Sequence, residues 1–117
     1  MRLTIIGSGN VATHMAAAFK NAGHRVMQVY SPNLHHASLL AYHVGAGATD
    51  DINNISGDTD IFIISVKDDA IAQVAEGLAR HQKLIVHTSG ATGIDVLLKY
   101  SDKAGVLYPL QTFSKSR

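Results

Sequence analysis

Residues 3–16 read LTIIGSGNVATHMA, and the hand-over inside that stretch decides the fold. Residues 2–6 (RLTII) have the length and apolar content of a strand. From residue 10 the apolar positions recur at helical spacing, which places Val11, Met15, Ala18 and Ala22 on one expected inner face over residues 10–22. Asn10 is suited to cap that helix and Gly23 to stop it. Between strand and helix stand two glycines, Gly7 and Gly9. A helix that starts directly after a strand turns its unpaired first amides, and the positive end of its dipole, toward the space beyond the strand end. Such a place attracts an anion.

The same alternation runs down the chain. Residues 25–30 (RVMQVY) make a second strand. Ser31 and Pro32 follow as a cap and a first-turn proline, opening a helix to about residue 43 with Ala37, Leu40 and Val44 inward. Residues 45–59 (GAGATDDINNISGDT) leave room for one short strand near residues 46–49 and then a polar loop. Residues 61–66 (IFIISV) show no alternation, as befits a strand covered on both faces. Asp68 is the expected cap of a further helix with Ile71, Val74, Ala75 and Leu78 on its inner side. A strand at residues 84–87 (LIVH), a short helix near 94–100 and a strand at about 104–108 complete the series. Strands alternating with helices predict an α/β fold. The expected form is a doubly wound, Rossmann-like parallel sheet of about six strands in a single domain, joined by right-handed crossovers.

Composition narrows the partners. Apolar residues make up 46% of the 117, enough for a real core, while charged residues make up 16%. The usual charged share is about 25%, so part of the surface is expected to be covered by a partner subunit or a further domain. A net charge of +1 gives no electrostatic case for nucleic acid or an acidic membrane. The absence of cysteine removes disulfides, thiol catalysis and thiolate metal sites. The apolar run that ends at Gly7 is too short to span a bilayer, and the protein is expected to be cytoplasmic. His35, His36 and His43 are the nearest candidates for a metal cluster, but His36 and His43 stand two helical turns apart, so no metal site is expected.

Gly7-Ser8-Gly9-Asn10-Val11-Ala12 matches G-x-G-x-x-A between a strand and a helix, the setting in which that pattern binds a dinucleotide. Gly7 permits the tight turn, Gly9 lets a pyrophosphate approach the backbone, and Ala12 allows close helix–strand contact. Gly7, Ser8, Gly9, Asn10 and Val11 are therefore the expected phosphate contacts. About 20 residues further on, an acidic residue normally holds the ribose 2′-hydroxyl of NAD. Here the second strand ends in VYSPN, and no Asp or Glu occurs between Lys20 and Thr49. No carboxylate repels a 2′-phosphate, and Tyr30 and Ser31 are the expected contacts, with Asn33, His35 or His36 as further donors. This favours NADP(H), with NAD(H) as the alternative; no arginine stands at the spot, and Ser31 reads equally well as a helix cap. Ser65, Val66 and Lys67 follow the buried strand and border the cleft, where Lys67 can reach a phosphate or a substrate carboxylate. Asp68 and Asp69 read as first-turn helix charges rather than as a catalytic pair. His87 and Ser89, in HTSGA at the end of the fifth strand, are the catalytic candidates. His87 would transfer a proton and Ser89 would hydrogen-bond a reacting carbonyl or imine. The alternative is a plain turn that closes the strand. In YPLQTF (residues 108–113), Gln111 and Thr112 are placed to border a substrate cleft, and Leu110 and Phe113 to pack on another domain.

Together IIGSGNVA, DIFIISVKDDAI, HTSGA and GVLYPLQTFSK resemble a family of Rossmann-like oxidoreductase homologues. Its members join an N-terminal NAD(P)-binding domain to a C-terminal helical domain of unknown function. More distantly, GSGNVA and SVKDD are similar to segments of pyrroline-5-carboxylate reductase, although HTSG departs from that enzyme's pattern. The resemblance implies hydride transfer to or from a small-molecule substrate. It also implies a chain truncated before a helical domain that completes the pocket and makes a homodimer. A non-catalytic nucleotide sensor and a binder of another phospholigand, such as a nucleotide sugar, are the competing readings.

Overall fold

The computed structural model describes residues 1–88, 93–101 and 103–106. The expected strands fall into one sheet: β1 (Arg2–Ile6), β2 (Arg25–Tyr30), β3 (Gly47–Thr49), β4 (Ile61–Ile64), β5 (Leu84–His87) and β6 (Ala104–Val106). All pairings are parallel and the spatial order is β3-β2-β1-β4-β5-β6. The chain thus winds outward from β1 to one edge, returns past its starting strand, and winds outward to the other edge. The helices are α1 (Asn10–Asn21), α2 (Leu34–Val44), α3 (Ile71–Leu78) and the short α4 (Asp95–Leu98). The expected fourth strand ends two residues early, at Ile64, and the last described strand residue is Val106.

Period-two alternation sends successive side chains to opposite faces of the sheet. Leu3, Ile5, Ile61, Ile63 and Val86 pack on one face beneath α1 and α2. Ile6, Phe62, Ile64 and Ile85 pack on the other face against α3 and α4. All four residues of β4 are buried, which is why its sequence shows no polar alternation. Thr4 is the buried polar residue of β1; its hydroxyl has no hydrogen-bond partner among the described residues.

Four local expectations are corrected. First, α1 faces the sheet through Ala12, Met15 and Ala16, with Phe19 partly buried behind them, while Val11 lies at the surface. The spacing is helical, as expected, but the inner face is rotated. Two of the three buried positions are alanines, whose methyl groups allow close packing of α1 on the sheet. Second, Gly9 rather than Asn10 is the N-cap of α1, and Thr13 bonds back to it, Oγ1 donating to the Gly9 carbonyl at 2.9 Å. Third, α2 is capped not by Ser31 but by Asn33, whose side chain accepts from His36 N–H at 3.2 Å. The inward residues of α2 are Ala37, Leu40 and Val44 as read, joined by Ala41. Fourth, ahead of α3, residues Asp68–Ala70 form a 3-10 turn, so the helix cap is Ala70 and not Asp68.

Candidate functional site

Where β2 leaves β1 on one side and β4 joins it on the other, the carboxyl ends of the strands part. An open cavity of about 620 Å³ lies there, within the size range of small-molecule sites, about 300–1,000 Å³. Its floor is the turn Gly7-Ser8-Gly9. Tyr30 and Ser31 of the β2 end form one side, and Ser65, Val66 and Lys67 after β4 form the other. Ile52 and Val74 close the far wall.

The two turn glycines do different work. Gly7 has φ +131°, and its N–H donates to Tyr30 carbonyl at 2.7 Å. A Cβ there would lie 2.2 Å from the carbonyl oxygen of Ser65. Gly7 therefore lets the segment after β4 close onto the end of β1, where Ser65 N–H bonds Ile6 carbonyl at 2.8 Å. At Gly9 the backbone is extended and a Cβ would meet nothing within 4 Å, so this part of the turn is open to an incoming group. The α1 ladder begins with Thr13 N–H donating to Gly9 carbonyl at 2.9 Å. The amides of Asn10, Val11 and Ala12 precede that first bond and have no acceptor inside the helix. No acidic side chain occupies the first turn to compete for them. The side chains of Asn10 and Val11 are exposed and are not part of the cavity lining; what these residues can offer a ligand is their N–H groups.

Ser31 is buried, 4% exposed. Its Oγ accepts from Ser8 Oγ at 3.0 Å and from Asn33 N–H at 3.2 Å, which engages both lone pairs. Ser31 also lines the cavity, which puts its hydroxyl at the disposal of a group bound there. Across the cavity, Thr88 Oγ1 donates to Ser65 Oγ at 3.1 Å and ties the ends of β5 and β4 together. Lys67 is exposed at the rim beside Asp69, which also lines the cavity.

Of the catalytic candidates, His87 stands apart from this arrangement. His87 is fully buried at the end of β5, with its Nε2 3.1 Å from Gly93 carbonyl, and it is not a lining residue. Ser89 and the segment 108–113 lie outside the described residues. Sequence reading missed Ile52, whose short 3-10 helix (Ile52–Asn54) forms the outer wall. Its signal was legible: Ile52 and Ile55 are the only large apolar residues in the polar tract 45–59. Among the described residues no helix is long and apolar enough to cross a membrane.

The family model of the Rossmann-like domain matches residues 1–112. No curated protein sequence matches the chain. Among solved structures, the chain is similar to a protein of Bacteroides fragilis designated a putative NADP oxidoreductase. The identity is 37% and the TM-score 0.88, over 99% of this chain and 46% of that one. Prephenate dehydrogenase from A. aeolicus, solved with hydroxyphenyl propionate and NAD+, shares the fold at 16% identity and TM-score 0.78, over 90% of this chain and 40% of its own. So does the pyrroline-5-carboxylate reductase of Coxiella burnetii, at 21% identity and TM-score 0.73, over 86% and 40%. The chain spans less than half the length of each of these three proteins.

Proposed function

The chain belongs to the Rossmann-like domain family, and from that premise we propose that it is the coenzyme-binding domain of an NADP(H)-dependent oxidoreductase. The observation that carries the reading is the cavity itself. It joins an open glycine turn at a helix N-terminus to a buried serine hydroxyl, at the point where strand order reverses. The pyrophosphate would lie over Gly9 on the amides of Asn10 and Val11, where the helix dipole favours negative charge. Ser8 and Ser31 would hold the ribose of the adenosine half, and the Ser31 O–H would donate to a 2′-phosphate. No carboxylate follows β2 to oppose that charge, and this is the support for NADP(H) over NAD(H).

Ser65, Val66 and Lys67 would flank the bound chain from the β4 side, with Lys67 offering a charge to a phosphate or to a substrate carboxylate. When bound, the coenzyme supplies the hydride, and the domain supplies position and electrostatics. His87 has the proton-transfer chemistry the reaction class calls for, but its burial and its bond to Gly93 favour a role in fixing the β5 end. For the whole protein we propose a small carbonyl, imine or hydroxy substrate, a helical domain that completes the pocket, a homodimer and a cytoplasmic location.

Titration with NADPH and NADH, followed by coenzyme fluorescence, tests the reading. NADPH is expected to bind more tightly. Gly9→Asp places a carboxylate in the anion seat and is expected to abolish binding of both. Ser31→Asp is expected to weaken NADPH by about tenfold or more and to spare NADH, the size of effect expected from a like charge beside a phosphate. Equal affinity for the two coenzymes in the native chain would overturn the 2′-phosphate assignment. Binding of neither would overturn the coenzyme reading.

A further inference from the structure

The cavity wall opposite the glycine turn is not built on the sheet. It is the short 3-10 helix Ile52–Asn54, within the crossover that carries the chain from β3 to β4. Its place is fixed from behind by the C-terminal part of α3 and the turn that follows. Three contacts in succession do this. Gly77 of α3 faces Ile52, and a Cβ on Gly77 would come 2.9 Å from Ile52 Cγ1. Arg80 reaches the next residue, its guanidinium donating to Asn53 carbonyl at 3.1 Å and to Asn53 Oδ1 at 3.4 Å. His81 packs further along the crossover, three residues past the 3-10 helix, where a Cβ on Gly57 would come 2.9 Å from its Nδ1. A glycine inside a helix is disfavoured relative to alanine, and Gly77 has no unusual backbone angle to require it. What the position requires is room for Ile52.

We propose that Gly77 and Arg80, neither of which lines the cavity, are positioning residues: they set how far Ile52 projects into it and thereby the affinity for the adenosine half of the coenzyme. This rests on the coenzyme reading above. Besides its polar groups the cavity is lined by Ile52, Val66, Ala70 and Val74, with the polar Gln73 among them, apolar surface suited to a flat base. A methyl group on Gly77 drives Ile52 into the cavity and narrows it. Loss of the Arg80 bonds frees the 3-10 segment at Asn53 and lets the wall retreat. The two changes act in opposite directions on the same side chain, and both weaken binding.

The test joins a double-mutant cycle to an exchange measurement. Gly77→Ala is expected to weaken NADPH by about tenfold, within the range of coupling seen between residues in contact. In an Ile52→Ala background the same substitution is expected to change affinity less than about twofold, because the side chain it displaces is gone. A loss of equal size in both backgrounds, or no loss in either, overturns the proposal. Arg80→Met removes an exposed side chain and is expected to leave the thermal midpoint nearly unchanged. It is also expected to speed amide hydrogen exchange at residues 52–55 and to weaken NADPH several-fold. Unchanged exchange at those amides overturns the positioning role by a readout that needs no ligand. If the native chain binds no NADPH while Arg80→Met still frees those amides, the coenzyme reading fails and the control of the wall stands.

Discussion

At the scale of single residues, the most demanding position is Gly7. Its φ of +131° is disfavoured for any side chain, and the space where a Cβ would go is filled by the Ser65 carbonyl. Gly7→Ala therefore combines backbone strain, worth about 1–3 kcal/mol, with a forced separation of the β1 and β4 ends. A loss of more than about 2 kcal/mol in urea denaturation is expected. That a glycine belongs there was legible from the motif; that the obstacle is a backbone oxygen from 58 residues away was not, because the motif is local and the contact is tertiary.

Nothing in the sequence reading singled out His81. Its ring lies against Phe62, with centroids 5.3 Å apart, and its Nε2 is buried with no hydrogen-bond partner among the described residues. Burial first, then the charges of Arg80 and Lys83, hold its pKa below the ordinary value near 6.5. The folded state thus favours the neutral ring, and the unfolded chain binds its proton more readily. This contribution to stability is complete above about pH 6.5. It declines as pH falls below that value and levels off once pH is below the folded pKa. His81→Phe is expected to flatten that part of the pH–stability curve, which thermal melts from pH 7.5 to 5 would record.

Elements were easier to read than their orientations. The spans of β1, β2 and β5 agree with the sequence reading residue for residue, because an apolar run bounded by turn chemistry marks both ends of a strand. Helix α1 shows the limit. Its span was clear, but the reading set Val11 and Ala18 inward, and the structure buries Ala12 and Ala16. Hydrophobicity ranks valine above alanine; proximity to the sheet reverses the choice, since both alanines are fully buried against β1 and its neighbours. Ala12→Leu should then strain the interface between α1 and the sheet, costing about 1–3 kcal/mol as overpacked cores do. Val11→Ala, at the surface of the same turn, should leave stability within about 0.5 kcal/mol. Chemical denaturation of the two variants side by side distinguishes the observed face from the expected one. The caps of α1, α2 and α3 were misassigned by one or two residues. Polar residues near a helix start invite a cap assignment, but only α2 uses one, Asn33; α1 and α3 start after Gly9 and Ala70, which make no side-chain cap bond.

For the whole molecule, alternation of strand and helix was enough to give a doubly wound parallel sheet, and the glycine turn was enough to place the candidate site at the end of β1. The order of the strands was not contained in any one segment. It follows from which faces are apolar on both sides: β1 and β4, the most thoroughly buried strands, sit side by side at the centre. The cavity wall at Ile52 was equally out of reach, since it depends on how the β3–β4 crossover folds back across α3. One consequence lies at the outer margin, where β3 is only three residues long. Ser31 N–H binds Thr49 carbonyl, the Thr49 hydroxyl bonds with Asp51, and two aspartates follow directly. A foreign chain seeking to add itself there would find few free amides and a pair of negative charges, so this rim is a poor template for fibril growth or for strand exchange between molecules.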